Sequence, residues 1–437
     1  MTLRLPNLRY LAATVTAFAV AVLVLAALNR GSAPPSPPRS SDAAQATVAH
    51  TTDEQIATLQ RELRARPDDL AATAGLADAY LQKVRETGDP SYYARAGSLL
   101  DAARSRAPHD AGVLTSAGTL ALARHDFRAG LDLGRAALRS APGTVRPLGT
   151  IVDAQVELGR YGDAGRTLQR MLDEKPSLAS YARASYYREL HGDLDGAAAA
   201  MRLAVEAGGQ APENVAYVQT LLGNLELDRG RVAAASRAYR TALLRQPGFP
   251  AAGAGLARVE AARGDLPAAI RRYRAVVARL PLPEYVVGLG EAELAAGRPG
   301  VARRDLALVG AEEKLLQANG VNTDVDLALY EASHGDPRRG VALARRAYAA
   351  APSVRSADAV GWALTRAGQP RGGLAYAHRA LRLGSRDPLF LLHAGIAARG
   401  AGRPDEARRL LAASLALNPR FSPLWAPRAR RALEALK

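Results

Sequence analysis

Residues 221–248 read LLGNLELDRGRVAAASRAYRTALLRQPG. Two apolar runs are separated at Gly230 and closed at Pro247. Leu222 and Gly223 stand one turn before Glu226, and Ala235, Tyr239 and Ala242 follow at steps of four and three. Apolar residues three and four apart share one face of a helix, so the stretch predicts two amphipathic helices joined by a tight turn. Proline cannot continue a helix and biases the residue before it away from helical angles, which places the end of the second helix at Pro247.

The pattern recurs. A glycine followed five residues later by a small residue is found at Gly159/Ala164, Gly192/Ala197, Gly230/Ala235, Gly264/Ala269, Gly297/Ala302, Gly335/Gly340, Gly368/Gly373 and Gly402/Ala407. Two earlier units keep the small residue, at Ala96 and Gly130, without that glycine. Successive small positions are 34, 34, 33, 38, 34, 33, 38, 33 and 34 residues apart. A second marker follows twelve residues after the small position, at Pro108, Pro142, Pro176, Pro247, Pro281, Pro352 and Pro419. The first copy carries extra residues around KVRETGDP, enough to lengthen both of its helices without losing phase. The two 38-residue spacings fall around AGGQAPEN (207–214) and QANGVNTD (317–324). Both inserts are polar and read as loops that divide the array into blocks of four, three and three.

With its period near 34 and its Leu-Gly, Ala…Tyr…Ala…Pro order, the chain resembles the tetratricopeptide repeat (TPR) family from about Pro67 to Pro419. The best copy matches at Leu222, Gly223, Gly230, Ala235, Tyr239, Ala242 and Pro247, and the next at Leu256, Ala257, Gly264, Ala269, Tyr273, Val276 and Pro281. The family's early tryptophan is absent, and its late helix-A tyrosine is replaced by Glu226, Glu260, Glu293 and Glu331. The resemblance implies an all-α fold: a right-handed solenoid of about ten helix–turn–helix units over residues 52–421. Residues 422–437 then read as an end helix that shields the last unit.

The N-terminus carries a different pattern. Leu11 to Leu28 is an uncharged apolar run flanked by Arg4, Arg9 and Arg30. At about 1.5 Å per residue it approaches the thickness of a bilayer core, and it is longer than the apolar region of a cleaved signal. Residues 1–30 are therefore expected to be a transmembrane signal anchor, and residues 31–51, rich in Pro, Ser and Ala, a semi-extended linker. The arginines on the two sides nearly balance, so orientation rests on the usual behaviour of a single N-terminal anchor before a large domain. That places the repeats outside the cytoplasm.

Composition excludes more than it adds. There is no cysteine, hence no disulfide, thiolate metal site or cysteine nucleophile. The formal charge of +16 is carried almost wholly by arginine, with lysine only at Lys83, Lys175, Lys314 and Lys437. Such a bias fits a GC-rich genome as well as a basic functional face, and it speaks to nonspecific affinity rather than to fold. His125-Asp126, His191-Gly192-Asp193 and His334-Gly335-Asp336 occupy the same inter-helix turn, where aspartate caps the following helix, so they read as structural and not as metal sites. Gly288-x-Gly290 lacks the third glycine of a dinucleotide fingerprint, and Glu312-Glu313 read as solvated charge. No phosphate loop, nucleophile elbow or HExxH is present. No catalytic, cofactor or metal residue is expected, and the chain is read as a non-enzyme.

The candidate surface is the concave face, which the resemblance assigns to the first helix of each unit. Register places Asp153, Arg183, Tyr186, Tyr217, Asn224, Leu227, Arg258, Glu291, Asp326, Leu329 and Trp362 there. Arg, Asn and Tyr read peptide backbones and carboxylates. The family's two-carboxylate clamp is disfavoured, because Glu291 and Asp153 oppose Asn224 and Arg258. The leading expectation is a membrane-tethered scaffold that holds a protein or peptide partner in its groove, in envelope assembly or complex organisation. The alternative is binding of nucleic acid or another anionic polymer by the basic surface. Self-association into a homo-oligomer through the groove is a third.

Overall fold

The computed structural model describes residues 51–208, 212–384 and 386–436. The anchor expected at residues 1–30 and nearly all of the linker lie outside them. Among the described residues no helix is long and apolar enough to cross a membrane.

Those residues form twenty-three helices and no strand. Helix α1 (Thr52–Ala65) precedes ten hairpins, each an A helix followed by a B helix. The first five are α2 (Leu70–Thr87) with α3 (Ser91–Arg106), α4 (Ala111–Ala123) with α5 (Phe127–Ser140), α6 (Arg146–Glu157) with α7 (Tyr161–Glu174), α8 (Leu178–Leu190) with α9 (Leu194–Glu206), and α10 (Pro212–Asp228) with α11 (Val232–Arg245). Repeat six is α12 (Pro250–Arg263) with α13 (Leu266–Arg279). Repeat seven is α14 (Pro283–Ala295) followed by a broken B element, α15 (Pro299–Leu306) and α16 (Val309–Ala318). The last three are α17 (Asp324–His334) with α18 (Pro337–Ala350), α19 (Val354–Arg366) with α20 (Pro370–Ala380), and α21 (Pro388–Gly400) with α22 (Pro404–Leu417); α23 (Trp425–Glu434) closes the chain.

The markers do what local chemistry requires. Ala96, Ala164, Ala197, Ala235, Ala269, Ala302 and Ala407 are fully buried where helices touch. At Gly130 a Cβ would stand 2.9 Å from the end of the Leu122 side chain, which would have to shift to admit alanine. The helix-A glycines form slots: a Cβ at Gly223 or Gly255 would run into the ring of Tyr239, which lies between two successive A helices with its hydroxyl 2.7 Å from Asn224 Oδ1. Glycine inside a helix costs about 0.5–1 kcal/mol, less than the roughly 1.5–3 kcal/mol from burying a large side chain in the slot. Asp126, Asp193, Asp265 and Asp336 cap the helices that follow them.

Two inserts differ from expectation. Pro212, Glu213 and Asn214 belong to the seventeen-residue α10 and not to a loop. Proline is well suited to a first helical position, and Glu213 favours the positive end of the helix dipole. In the second insert only residues 319–323 lie between helices. The added length enters repeat seven through the break at Ala307-Leu308, which sends α16 under α14. This overturns the reading of Glu313 as solvated charge, for it is 2% exposed. The extra residues of the first repeat do lengthen both helices, to eighteen residues in α2 and sixteen in α3.

Successive A helices also pack on one another and form the inner layer. The array winds back on itself, and the two sequence markers meet across the resulting seam. Gly88 faces Leu280, beside Pro281. The Arg124 carbonyl accepts from the Asn322 amide at 2.9 Å, while His125 Nδ1 donates to the Asn322 carbonyl at 2.6 Å. Gly159 faces the Pro352 carbonyl, and the Val354 amide donates to the Tyr161 hydroxyl at 2.8 Å. Gly230 faces the Leu417 carbonyl, and Asn418 Nδ2 donates to the Leu227 carbonyl at 2.7 Å. In all four cases the A-to-B turn of one repeat abuts the end of the B helix five repeats later. Ala351 accordingly joins a core built of Leu122, Leu158 and Met201, and Val354 packs with Val156 and Tyr161.

His125 occupies the glycine position of repeat two in the left-handed region, at φ 59°. Histidine is among the residues that tolerate this conformation, and the seam hydrogen bond holds its ring in place.

Candidate functional site

Coiling turns the concave face into the wall of a partly open cavity of about 380 Å³. Its walls are the inner surfaces of α10, α12, α14 and α17. Tyr93 of α3, His125, Glu313 of α16, Arg355 of α19, Asp387 and the segment Arg420–Trp425 complete its lining. Of the residues that register placed on the concave face, Tyr217, Asn224, Leu227, Arg258, Glu291, Asp326 and Leu329 line this cavity.

The others are placed elsewhere. Asp153 and Arg183 form a sealed bidentate pair between α6 and α8, at 2.9 Å from Nε and 2.7 Å from NH2. The guanidinium crosses Gly149, where a Cβ would stand 2.9 Å from it. Tyr186 packs between two cores, and burial raises its hydroxyl well above the usual range. Trp362 is 1% exposed; it stacks on His393 with ring centres 4.1 Å apart, and its Nε1 donates to Ser333 Oγ at 3.0 Å.

Much of the inner-face charge is matched internally. Arg258 NH2 lies 2.8 Å from Asp228 Oδ1, Arg355 pairs with Asp326, and His393 Nδ1 lies 2.9 Å from Asp358 Oδ2. Each pair joins neighbouring A helices. The glutamates at the family's tyrosine position follow the same rule: Glu226 meets Arg202 and Arg229, Glu260 meets Arg272, Glu293 meets Arg274, and Glu331 meets Arg339. A buried carboxylate is tolerated where a guanidinium satisfies it. Part of the arginine content is thereby accounted for as internal pairing.

The cavity also holds residues that sequence register did not single out. Glu284 has surface accessible to water yet sits deep within the coil, because that surface faces the cavity. Burial raises its carboxyl to about 7 and that of Glu313 to about 8. Asp387 is 1% exposed; its Oδ1 caps α21 by accepting from Leu389 and Phe390, and its Oδ2 has no partner among the described residues. Burial, with Asp228 and Asp358 nearby, pushes this carboxyl well above the usual range. Trp425 of α23 is buried and donates from Nε1 to Glu291 Oε1 at 2.7 Å, with His334 Nε2 on the same oxygen at 3.2 Å. The last helix is thus anchored inside the coil and is more than a solvating cap. Only the tryptophan in a chain poor in aromatics hinted at this. Among the described residues no group of three or more His, Asp or Glu is placed to hold a metal ion.

No curated protein matches the chain. Among solved structures it is similar to the APC/C hetero-tetramer Cut9–Hcn1, at 16% identity and a TM-score of 0.37 over 89% of this chain and 67% of that one. It is also similar to the MamA protein, at 17% identity and 0.30 over 39% and 91%, and to human IFIT1 in its dimer with PPP-AAAA, at 13% and 0.45 over 84% and 86%. Likenesses of this degree carry no argument about what this chain binds. A sequence model described as tetratricopeptide repeat matches residues 150–212, 220–281, 255–314 and 359–420. Those matches span half of the chain and coincide with the hairpins, turn glycines and tyrosine slots described above, and the chain belongs to the tetratricopeptide repeat family.

Proposed function

We propose that this protein is a binding scaffold, not a catalyst, and that it holds a segment of a protein or peptide partner at the inner face of its coil. The observation that carries this reading is convergence. Tyr217, Asn224, Arg258, Glu291 and Asp326, contributed by four different A helices, face one cavity. A volume of about 380 Å³ lies within the range of sites that enclose a small ligand or a few side chains. The apolar run Leu11–Leu28 is proposed to tether the repeats to a membrane, with the coil outside the cytoplasm, where such a scaffold would serve envelope assembly or complex organisation.

The test is recovery of a partner from detergent-solubilised membranes by the full-length chain. A partner of this kind is enriched over a control bearing only residues 1–51 and is lost with Asn224→Ala/Arg258→Ala. Equal recovery by that variant removes the inner face from the reading, and no enrichment removes the scaffold itself.

A polyanion remains the second reading, for one reason: the cavity lining holds only three of the chain's arginines, so the cationic excess lies elsewhere on the molecule. Nucleic acid would therefore be held outside the coil, with an affinity that falls steeply as salt is raised.

A further inference from the structure

The cavity gathers carboxyl groups in a chain that is strongly cationic. Six carboxyl groups line it against three arginines, in a protein whose formal charge is +16. Arg258 is matched by Asp228 and Arg355 by Asp326, while Arg420 donates to the Ala262 carbonyl. Glu291 is held by His334 and Trp425. Glu284, Glu313 and Asp387 take part in no ion pair among the described residues.

Two further features show a site left open. Among the described residues neither Asp387 Oδ2 nor the Tyr217 hydroxyl has a hydrogen-bond partner, although the two residues are 1% and 3% exposed and line the cavity. Leaving such groups unpaired costs about 1–3 kcal/mol each, so a ligand that satisfies them gains in proportion. The rest of the wall is largely apolar. Seven of the chain's aromatic residues line it, out of 15 Tyr, 5 Phe and 2 Trp, and aromatic faces attract cations as well as alkyl groups.

We infer that the cavity is a binding site for an organic cation, a primary ammonium carried on a short apolar stem. The ammonium donates to Glu284 and Glu313, which face one another across the cavity, and the stem lies against the aromatic wall. An anionic ligand would find Arg258 and Arg355 already matched by carboxylates. The aromatic wall and the lack of three clustered His, Asp or Glu ligands disfavour a bare metal ion. The same chemistry is available from a free diamine and from the lysine side chain of a partner.

Protonation supports the assignment. Burial holds protons on Glu284 and Glu313 near neutrality; Asp326 and Arg355 face the first, and Thr323, Asp326, Glu284 and Asp324 face the second. A bound ammonium favours their ionised forms, so binding releases protons and tightens as pH rises from 6 to 8.5. The inference does not rest on the scaffold reading, since the cavity can hold a small amine whether or not a protein partner exists.

The experiment is titration calorimetry on the full-length chain with 1,5-diaminopentane, with acetyl-Gly-Lys-Gly-amide and its norleucine counterpart, and with glutarate as the charge-reversed control. Binding of the diamine identifies a free amine as the ligand. Binding of the lysine peptide alone, with none by the norleucine peptide, identifies a partner's side chain. Either result supports the site if Glu284→Gln/Glu313→Gln weakens it about tenfold or more while Asp405→Asn, far out on the surface, leaves it unchanged. Proton release, read from the same titration in two buffers of different ionisation heat, supplies a readout that does not depend on the variant folding. No binding by either amine, undiminished binding by the double variant, no proton release, or glutarate binding as tightly as the diamine overturns the inference.

Discussion

Gly159 and Gly264 occupy the same position in repeats three and six, both in the left-handed region, at φ 70° and 90°. By sequence they are interchangeable, yet their surroundings differ. A Cβ on Gly159 would collide with the Pro352 carbonyl oxygen, whereas one on Gly264 would meet open space. The difference runs along the whole array. Gly88, Gly159 and Gly230 abut a later repeat, and Gly264, Gly297, Gly368 and Gly402 have nothing within 4 Å of where a Cβ would lie. The turn edge of the first half is an interface, and that of the second half is a free rim. One motif thus has two jobs: it reverses the chain everywhere, and in the first half it also lets one coil lie against the next.

The largest effect expected from this contrast is at the glycines themselves. Gly159→Ala should destabilise the chain by about 3 kcal/mol or more, because the left-handed cost of roughly 1–2 kcal/mol is joined by a backbone clash that shifts the seam. Gly264→Ala should cost only the first part. Urea unfolding of both variants checks this, and equal losses would mean that the coils do not touch. Next is Asn418→Ala, which leaves the Leu227 carbonyl buried without its donor and should cost about 1–3 kcal/mol. The control is Asn319→Ala at an exposed helix end, where the loss should stay within about 0.5 kcal/mol. A smaller effect is expected for Tyr161→Phe, which removes the acceptor of the Val354 amide at the cost of about 1 kcal/mol. Faster hydrogen exchange at Val354, with repeat six unaffected, is the sign to look for.

The smallest effect concerns pH, since Glu284 keeps surface accessible to solvent. The carboxyls of Glu284 and Glu313 are raised by burial to about 7 and about 8, so between pH 4.5 and those values the native state holds more protons than the unfolded chain. Stability from these two groups is therefore complete at low pH and is lost as pH rises through 7 to 8. Glu284→Gln/Glu313→Gln should flatten the dependence of the unfolding midpoint over that window, and a slope identical to that of the parent chain would contradict it.

Residues at short range were readable. Ala235, Gly230, Pro247 and the aspartate caps act through contacts within one hairpin or its neighbour, and local spacing reports such contacts faithfully. The concave register was readable in part, for it placed Asn224, Arg258 and Glu291 on the inner wall, where the structure finds them. It could not show that Asp153 and Arg183 would bond to each other, since that depends on the separation of two A helices. Glu313 was misread because the break at Ala307-Leu308 carries no proline or glycine to announce it. Asp387, in the last repeat, and Trp425, in the closing helix α23, lie far along the chain from α10, and nothing near them in sequence ties them to its cavity.

The amino-acid sequence by itself determined the hairpin, its period, its turn and stop residues and the small positions at which helices meet. Each of these is settled by contacts within one or two repeats. The tertiary structure alone decided that the coil closes on itself, that five repeats separate the partners at the seam, and that an arginine-rich chain gathers carboxyl groups around one cavity. Solenoid curvature comes from a small rotation between neighbouring repeats. Summed over five repeats, that rotation decides between an open groove and a coil whose turns meet around a cavity, while in any single hairpin it leaves no mark.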